Sequence, residues 1–264
     1  MAAIDLCVIN FNTSDKLQRL CYELYKGASN YGNELYELYV ADNGSEDSSQ
    51  EMLRTNPPQN ISKIVYNDNI GYSGAANQLA AMGSSPILGI LNADVWFTAD
   101  NVAAIIGSFE DPTVSILGPK QRDERGFITH AGIEGDEKAC KPRAWKMQDP
   151  DDIHYRDLEE MVSVAGSAYF VRRTVWEDLT QCDIYQASCP DIEGAFLPTP
   201  HYFEETWCSY HARAHGYKVF YDGRVSIGHS WHASHPLHSK YDKMFHVSKR
   251  MFITMCERHG IEHD

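Results

Sequence analysis

The sequence predicts an α/β fold in which a mainly parallel central sheet is flanked by helices. Three observations predict it. Short apolar runs alternate with stretches of helical periodicity over residues 4–94, and each run stops at a cluster of Asn, Asp, Gly or Ser. At 264 residues, with 43% hydrophobic and 23% charged side chains and no low-complexity tract, the chain can bury a substantial core.

Residues 4–10 are an apolar run that reads as a buried strand, and Asn12-Thr13-Ser14 supplies a turn and a helix cap. Leu17, Leu20, Cys21 and Leu24 recur at helical spacing as far as Gly27. A second strand over 35–41 ends at Asp42-Asn43-Gly44-Ser45, and Met52 and Leu53 give a short helix closed by Pro57-Pro58. A third over 61–66 ends at Asn67-Asp68-Asn69, after which Gly71-Tyr72-Ser73-Gly74 opens an Ala-rich helix containing Asn77, Leu79 and Met82. A fourth over 87–91 runs into Asn92-Ala93-Asp94. Strands in this order place Asn12, Asp42, Asn69 and Asp94 at one carboxyl edge, where open parallel sheets bind ligands. One such cluster is ordinary turn chemistry; four on one edge predict a site.

The second half is less regular. Strands are expected over 114–118 and 162–171, the latter containing Gly166-Ser167-Ala168, with a turn at 123–126 and a polar loop over 138–157. Gly166 and Ser167 either allow close packing or leave room for a bound sugar. Residues 181–200 read as an irregular insertion or lid, and 204–215 as a helix stopped by Gly216. Strand segments follow over 218–221 and 225–227. A terminal helix over 237–258 carries Met244, Val247, Met251 and Met255 on a stripe assigned to the core.

A net charge of −14 excludes a broad grip on nucleic-acid phosphates, and it means that a diphosphate ligand needs a cation or helix N-termini to offset repulsion. The seven cysteines contain no CxxC pair, and Cys182 and Cys189 are expected to be free. With no basic-then-apolar leader and no apolar stretch of transmembrane length, the expected location is the cytoplasm.

Chemistry concentrates in three places. Asp94, just past an apolar strand, is either a capping residue of a βα loop or a ligand for a divalent metal bridging two phosphates. Glu204 and Glu205, at a helix start, either complement the helix dipole or supply a general base; Glu205 is the first candidate and Glu204 the second. His229, His232 and His235 lack the one-turn spacing of a helical zinc motif, and His229 gains weight only from the cation that the carboxylates imply. No serine or cysteine stands in a recognised nucleophile context.

In order, Val8-Ile9-Asn10-Phe11-Asn12, Val40-Ala41-Asp42-Asn43-Gly44-Ser45, Asn69-Ile70-Gly71-Tyr72-Ser73-Gly74-Ala75-Ala76-Asn77, Leu91-Asn92-Ala93-Asp94-Val95, Gly166-Ser167-Ala168-Tyr169-Phe170-Val171-Arg172-Arg173 and Phe203-Glu204-Glu205 through Gly216-Tyr217 resemble family 2 glycosyltransferases of the GT-A fold, particularly the rhamnosyltransferase-like branch. The resemblance implies a Rossmann-like GT-A domain over 1–232, its nucleotide-sugar half about 1–95 and its acceptor half about 96–232, with a helical extension over 233–264. It implies an inverting, Mg²⁺- or Mn²⁺-dependent transfer from a nucleoside-diphosphate sugar to an acceptor hydroxyl on a glycan, lipid-linked glycan, protein or modified base. By position it assigns Asn12, Asp42, Asn69, Gly71, Asn77, Asn92 and Asp94 to the donor. Asp94 and His229 go to the metal, Glu205 to general base, and Gly166, Ser167 and Trp207 to the sugar or acceptor pocket. The chain departs from the family at Asn92, which replaces the first acid of the DXD-like motif, and at Trp207, where the family often has Asp. Those departures keep a non-catalytic nucleotide-sugar or glycan binder as the second reading. A sugar nucleotidyltransferase is the third, although the chain lacks the basic, glycine-rich N-terminal loop expected for it.

Overall fold

Strands β1 (Ile4–Asn10), β2 (Tyr36–Asp42), β3 (Lys63–Tyr66) and β4 (Ile87–Asn92) lie parallel in the order β4-β1-β2-β3. Register sets Asn10 opposite Asp42, Asp42 opposite Tyr66 and Ile9 opposite Asn92, so the carboxyl ends of the strands finish together. The structure is a computed structural model and describes residues 2–31, 35–136, 139–143, 153–230 and 239–262. Trp231, His232, His235, residues 237–238 and most of the polar loop expected over 138–157 lie outside the described residues.

All seven residues of β1 are buried, as expected of a strand covered on both faces. Alternation divides them. Ile4, Leu6 and Val8 pack with Leu17, Leu20 and Leu24 of α1 (Ser14–Ala28) and with Val102 and Ile105 of α4 (Ala99–Ser108). Cys7 and Ile9 face Ala75, Ala76 and Leu79 of α3 (Gly71–Ala80). The small α3 residues let that helix sit close to the sheet.

Beyond β4 the sheet becomes mixed. β11 (Ala168–Arg172) runs antiparallel to both β4 and β6 (Val114–Arg122), β12 (Lys218–His229) is parallel to β6, and β10 (Leu158–Met161) closes that edge antiparallel to β12. The two-residue β5 (Val95–Trp96) pairs with the end of β12, setting His229 opposite Val95.

The second half departs from the expectations in four places. The strand expected over 162–171 starts only at Ala168, so Gly166 and Ser167 lie in the turn before it. The segments at 218–221 and 225–227 form one strand with a register shift between Asp222 and Ser226. The expected lid is a packed segment: it contains α6 (Asp183–Ser188), and Tyr185, Ala195, Phe196 and Leu197 are buried. On α8 (Ser239–His259) the buried face is Ser248, Phe252, Met255 and Cys256, whereas Val247 is exposed, because that face meets the Tyr185, Trp207 and Tyr210 side chains.

Candidate active site

The donor edge expected from the sequence is a set of mutually bonded loops. Asp42, fully buried, accepts from Asn10 Nδ2 at 2.9 Å and from the Ser45 N–H at 3.2 Å. Exposed Asn12, at φ 55°, accepts the N–H groups of Glu46 and Asp47 at 2.7 and 3.3 Å. Asn69, at φ 52°, accepts from Asn43 Nδ2 and from the Gly71 N–H, each at 3.3 Å. Gly71 has φ +79°, which a glycine adopts without the steric cost of a Cβ, and an added Cβ there would meet nothing within 4 Å. Asn77 sits deeper than its neighbours: its amide donates to the Phe196 carbonyl at 2.9 Å and accepts the Phe196 N–H at 3.1 Å. It tethers the 181–200 segment to α3.

Asp94 lies one turn past β4 and is 5% exposed. Its carbonyl accepts the Ser230 N–H at 3.0 Å, and the β5–β12 pairing brings His229 Nε2 to 3.4 Å from Asp94 Oδ1. That oxygen is buried and accepts no hydrogen bond among the described residues. An unsatisfied buried carboxylate oxygen facing an imidazole nitrogen is a donor set that suits a divalent cation. Behind it, a Cβ on Gly228 would fall 1.9 Å from Trp96 Cε2, so only glycine lets β12 and β5 close to this spacing.

The acidic pair opens α7 (Glu204–Ala214). Tyr202 and Phe203, just before it, both hold φ 69°, a left-handed conformation that side-chain-bearing residues rarely adopt, and two in succession mark a strained helix entry. Glu204 is buried and accepts from Thr199 Oγ1 at 3.0 Å. Half-buried Glu205 accepts from Thr206 Oγ1 at 3.4 Å, and its carboxyl lies against Gly166, where a Cβ would sit 3.1 Å from Glu205 Cδ. Burial pushes both carboxyls above the usual carboxylate range, and the charge of Glu205 adds to the shift at Glu204.

The Gly166–Ser167 turn joins the two acidic elements. The Asn92 N–H donates to the Ser167 carbonyl at 3.0 Å, Ser167 Oγ donates to Gln121 Oε1 at 2.9 Å, and the Tyr72 hydroxyl donates to the Gly166 carbonyl at 2.7 Å. Burial and then the charges of Glu204, Glu205 and Asp94 push the Tyr72 phenol well above its usual value, so all three carboxylates act on one side chain. Asn92, two residues before Asp94, and Glu205 thus both meet the same turn.

Trp207 falls elsewhere. It is 0% exposed, stacked on Tyr185 and on His211 with ring centroids 5.9 and 4.8 Å apart, and it belongs to the core between α6, α7 and α8. Two helix positions from Glu205 it points to a different side, so its expected place in the sugar or acceptor pocket is corrected to a packing role. Pattern reading also passed over Tyr72, Thr199 and Gln121. Tyr72 stands inside the Gly71–Gly74 motif, where a tyrosine is no signal beside two glycines; nothing in the sequence signals the other two.

Residues 5–178, about two-thirds of the chain, match the family described as Glycosyl transferase family 2. The chain belongs to glycosyltransferase family 2, and its sheet and helices have the GT-A architecture. Among solved structures it is similar to the mannosyltransferase PcManGT from Pyrobaculum calidifontis in complex with GDP-Man and Mn²⁺, with a TM-score of 0.63 at 14% identity over 97% of this chain and 64% of that one. It is similar to GalNAc-T7 with UDP, GalNAc and Mn²⁺, at 0.60 and 16% over 99% and 55%, and to S. aureus TarS 1-349, at 0.56 and 10% over 97% and 65%. The chain thus spans less than two-thirds of each of those proteins. No curated protein matches it. Among the described residues no helix is long and apolar enough to cross a membrane.

Proposed function

We propose that the chain is an inverting glycosyltransferase that moves a sugar, of the hexosyl class, from a nucleoside-diphosphate donor to an acceptor hydroxyl, using Mn²⁺ or Mg²⁺. The observation that carries this reading is the unsatisfied Asp94 Oδ1 beside His229, two residues past Asn92, whose N–H bonds the same turn that Glu205 borders. Asp94 and His229 would hold the cation, which neutralises charge on the departing diphosphate. Asn12, Asp42, Asn69 and Gly71 would shape the nucleotide end, and Asn77 would fix its floor through Phe196. Two structural neighbours are complexes with GDP-Man and Mn²⁺ and with UDP, GalNAc and Mn²⁺, which supports the same ligand class here. The motif order supports the rhamnosyltransferase-like branch. The free thiols among the described residues support action in the cytoplasm.

Glu205 takes the acceptor's hydroxyl proton as that oxygen forms its bond to the anomeric carbon. The bond from the anomeric carbon to the diphosphate breaks on the opposite face, which inverts the centre. Burial raises the Glu205 pKa above the usual carboxylate range and so makes it a better base than a solvated carboxylate. Gly166 leaves that carboxyl uncovered by a side chain.

Glu205→Gln should lower turnover by about 10²–10⁴-fold, the usual worth of general-base assistance, with donor affinity retained. Near-normal turnover rejects the assignment of the base. A non-catalytic binder would release no nucleoside diphosphate with or without EDTA, and that result rejects the enzyme reading altogether.

A further inference from the structure

A second group of metal-ligating side chains lies away from the Gly166–Ser167 turn. Cys182 caps α6, His211 sits in the third turn of α7, and His259 ends α8; the Cys182 Sγ and a ring nitrogen from each histidine all lie within 4.8 Å of one another. His211 is 1% exposed, and neither of its ring nitrogens has a hydrogen-bond partner among the described residues. His259 Nε2 is likewise buried and unpartnered. Buried polar atoms are nearly always satisfied, so three orphaned imidazole nitrogens beside a free thiol require an explanation.

Aromatic packing does not provide it. Trp207 stacks on His211 and meets His259 edge-on at 4.9 Å, and His259 is perpendicular to His211 at 4.9 Å. These contacts fix the ring planes without supplying a partner to the nitrogens. A cavity of about 580 Å³, bordered also by Asp178, Asp183 and His215, adjoins the three side chains and leaves space for a fourth ligand.

We propose that Cys182, His211 and His259 bind a soft divalent transition metal of the Zn²⁺ class, at a site distinct from Asp94 and His229. A thiolate with two imidazoles favours Zn²⁺ over the oxygen-seeking Mg²⁺ and Mn²⁺. In a tetrahedral Zn²⁺ site, neighbouring ligand atoms stand roughly 3.3–3.8 Å apart. The three atoms, within 4.8 Å of one another, need to close by at most about 1–1.5 Å to reach that geometry. On binding, the Cys182 thiol gives its proton to solvent and the sulfur bonds to the metal, with no change in oxidation state. The ion would clasp the α6 entry, α7 and the end of α8 together, steadying the helix whose first turn carries Glu204 and Glu205.

Titration of the chelator-treated full chain with Co²⁺, followed by displacement with Zn²⁺, tests the proposal. The expected result is a thiolate-to-cobalt charge-transfer absorption that saturates at one equivalent, disappears on addition of one equivalent of Zn²⁺ and persists in Asp94→Asn. Cys182→Ser should abolish that absorption. Both Cys182→Ser and His259→Gln should weaken Zn²⁺ binding by at least about 10-fold, the lower bound for losing even an outer-shell partner. Cys182 is half-buried, so its serine variant is expected to fold, and circular dichroism checks both variants. Absence of the charge-transfer absorption in the folded wild-type chain overturns the site, as does its survival in Cys182→Ser.

Discussion

Two sets of buried carboxylates in this chain are treated in opposite ways. Asp5 and Asp222 are saturated: Asp5 accepts from the Ser85 N–H, Ser85 Oγ and Arg173 Nη2 at 2.9, 2.6 and 2.6 Å, and Asp222 accepts from Ser108 Oγ at 2.6 Å and from Arg224 through both Nε and Nη2 at 2.8 Å. Those partners hold the Asp222 carboxyl below the usual carboxylate range despite its burial. Around the Gly166–Ser167 turn the reverse holds. Asp94 Oδ1 has no hydrogen bond, and Glu204 and Glu205 are raised by burial without a cation beside them among the described residues. Carboxylates that hold the fold together are matched to their partners, and those at the site are kept short of them. Groups held against their electrostatic preference mark where a ligand or a proton transfer supplies what is missing.

The sharpest way to break that comparison is to remove a saturated carboxylate. Asp5→Ala leaves the largely buried guanidinium of Arg173 with the Ser85 and Ala80 carbonyls but without its counter-charge, and should cost about 3–5 kcal/mol, read from urea unfolding. A cost under about 1 kcal/mol would mean that the pair contributes little net stability and that saturation does not separate the two sets.

Asn77, on α3, tests the contrast at a neutral residue. Asn77→Ala leaves the N–H of Phe196 unpaired in the core, while its carbonyl keeps the Tyr185 hydroxyl at 3.2 Å, so the loss expected is that of one orphaned group, about 1–3 kcal/mol. If Asn77 instead contacted the donor directly, its alanine variant would lose donor affinity with stability intact. Calorimetric binding and unfolding on the same variant separate these outcomes.

The regions differ in how far they could be read from the residues alone. β1 to β4 and their polar ends were legible because parallel strands buried on both faces are continuous apolar runs, and because each stopped at turn-forming residues that register then aligned. The second half hid its order. Gly166 and Ser167 sat inside an apolar stretch that ends in a turn rather than running as one strand, and the bulge near Asp222 interrupted the alternation of β12. The prolines and cysteines of 181–200 suggested an irregular lid, while the contacts that pack it, Asn77 with Phe196 and Tyr185 with Trp207, join residues distant in sequence. At the candidate site, residue type marks Asp94, Glu204, Glu205 and His229 as candidates, and the family resemblance gives each a role. No local pattern could reveal that Trp207 turns into the core or that Tyr72 reaches Gly166 across 94 positions.

Glu204 sharpens the comparison through pH. A carboxyl whose pKa is raised by folding favours the folded state while it stays protonated, so its contribution is full below the unfolded value of 4.5 and is lost as pH rises toward about 8. The wild-type melting temperature should therefore fall across that window by more than that of Glu204→Gln, which keeps an acceptor for Thr199 but carries no charge. Parallel pH profiles for the two proteins would show that Glu204 is not strained. Asp222, with its carboxyl lowered, has the opposite sign: its contribution is present above the ordinary carboxylate value and is lost on acidification.

The smallest expected change in stability is at Asp94, and there the smallness carries the argument. Asp94→Asn preserves shape and removes a charge whose Oδ1 makes no hydrogen bond among the described residues, so unfolding should shift by less than about 1 kcal/mol and can shift toward greater stability. Asp5→Asn, equally conservative in shape, deprives Arg173 of its counter-charge and should still destabilise measurably. Donor binding should reverse that order: Asp94→Asn loses the enhancement by Mn²⁺, whereas Asp5→Asn keeps it. A strongly destabilised Asp94→Asn would place Asp94 with the saturated set and leave the cation without its principal carboxylate, because Asn92 already stands where the motif's other acid is found.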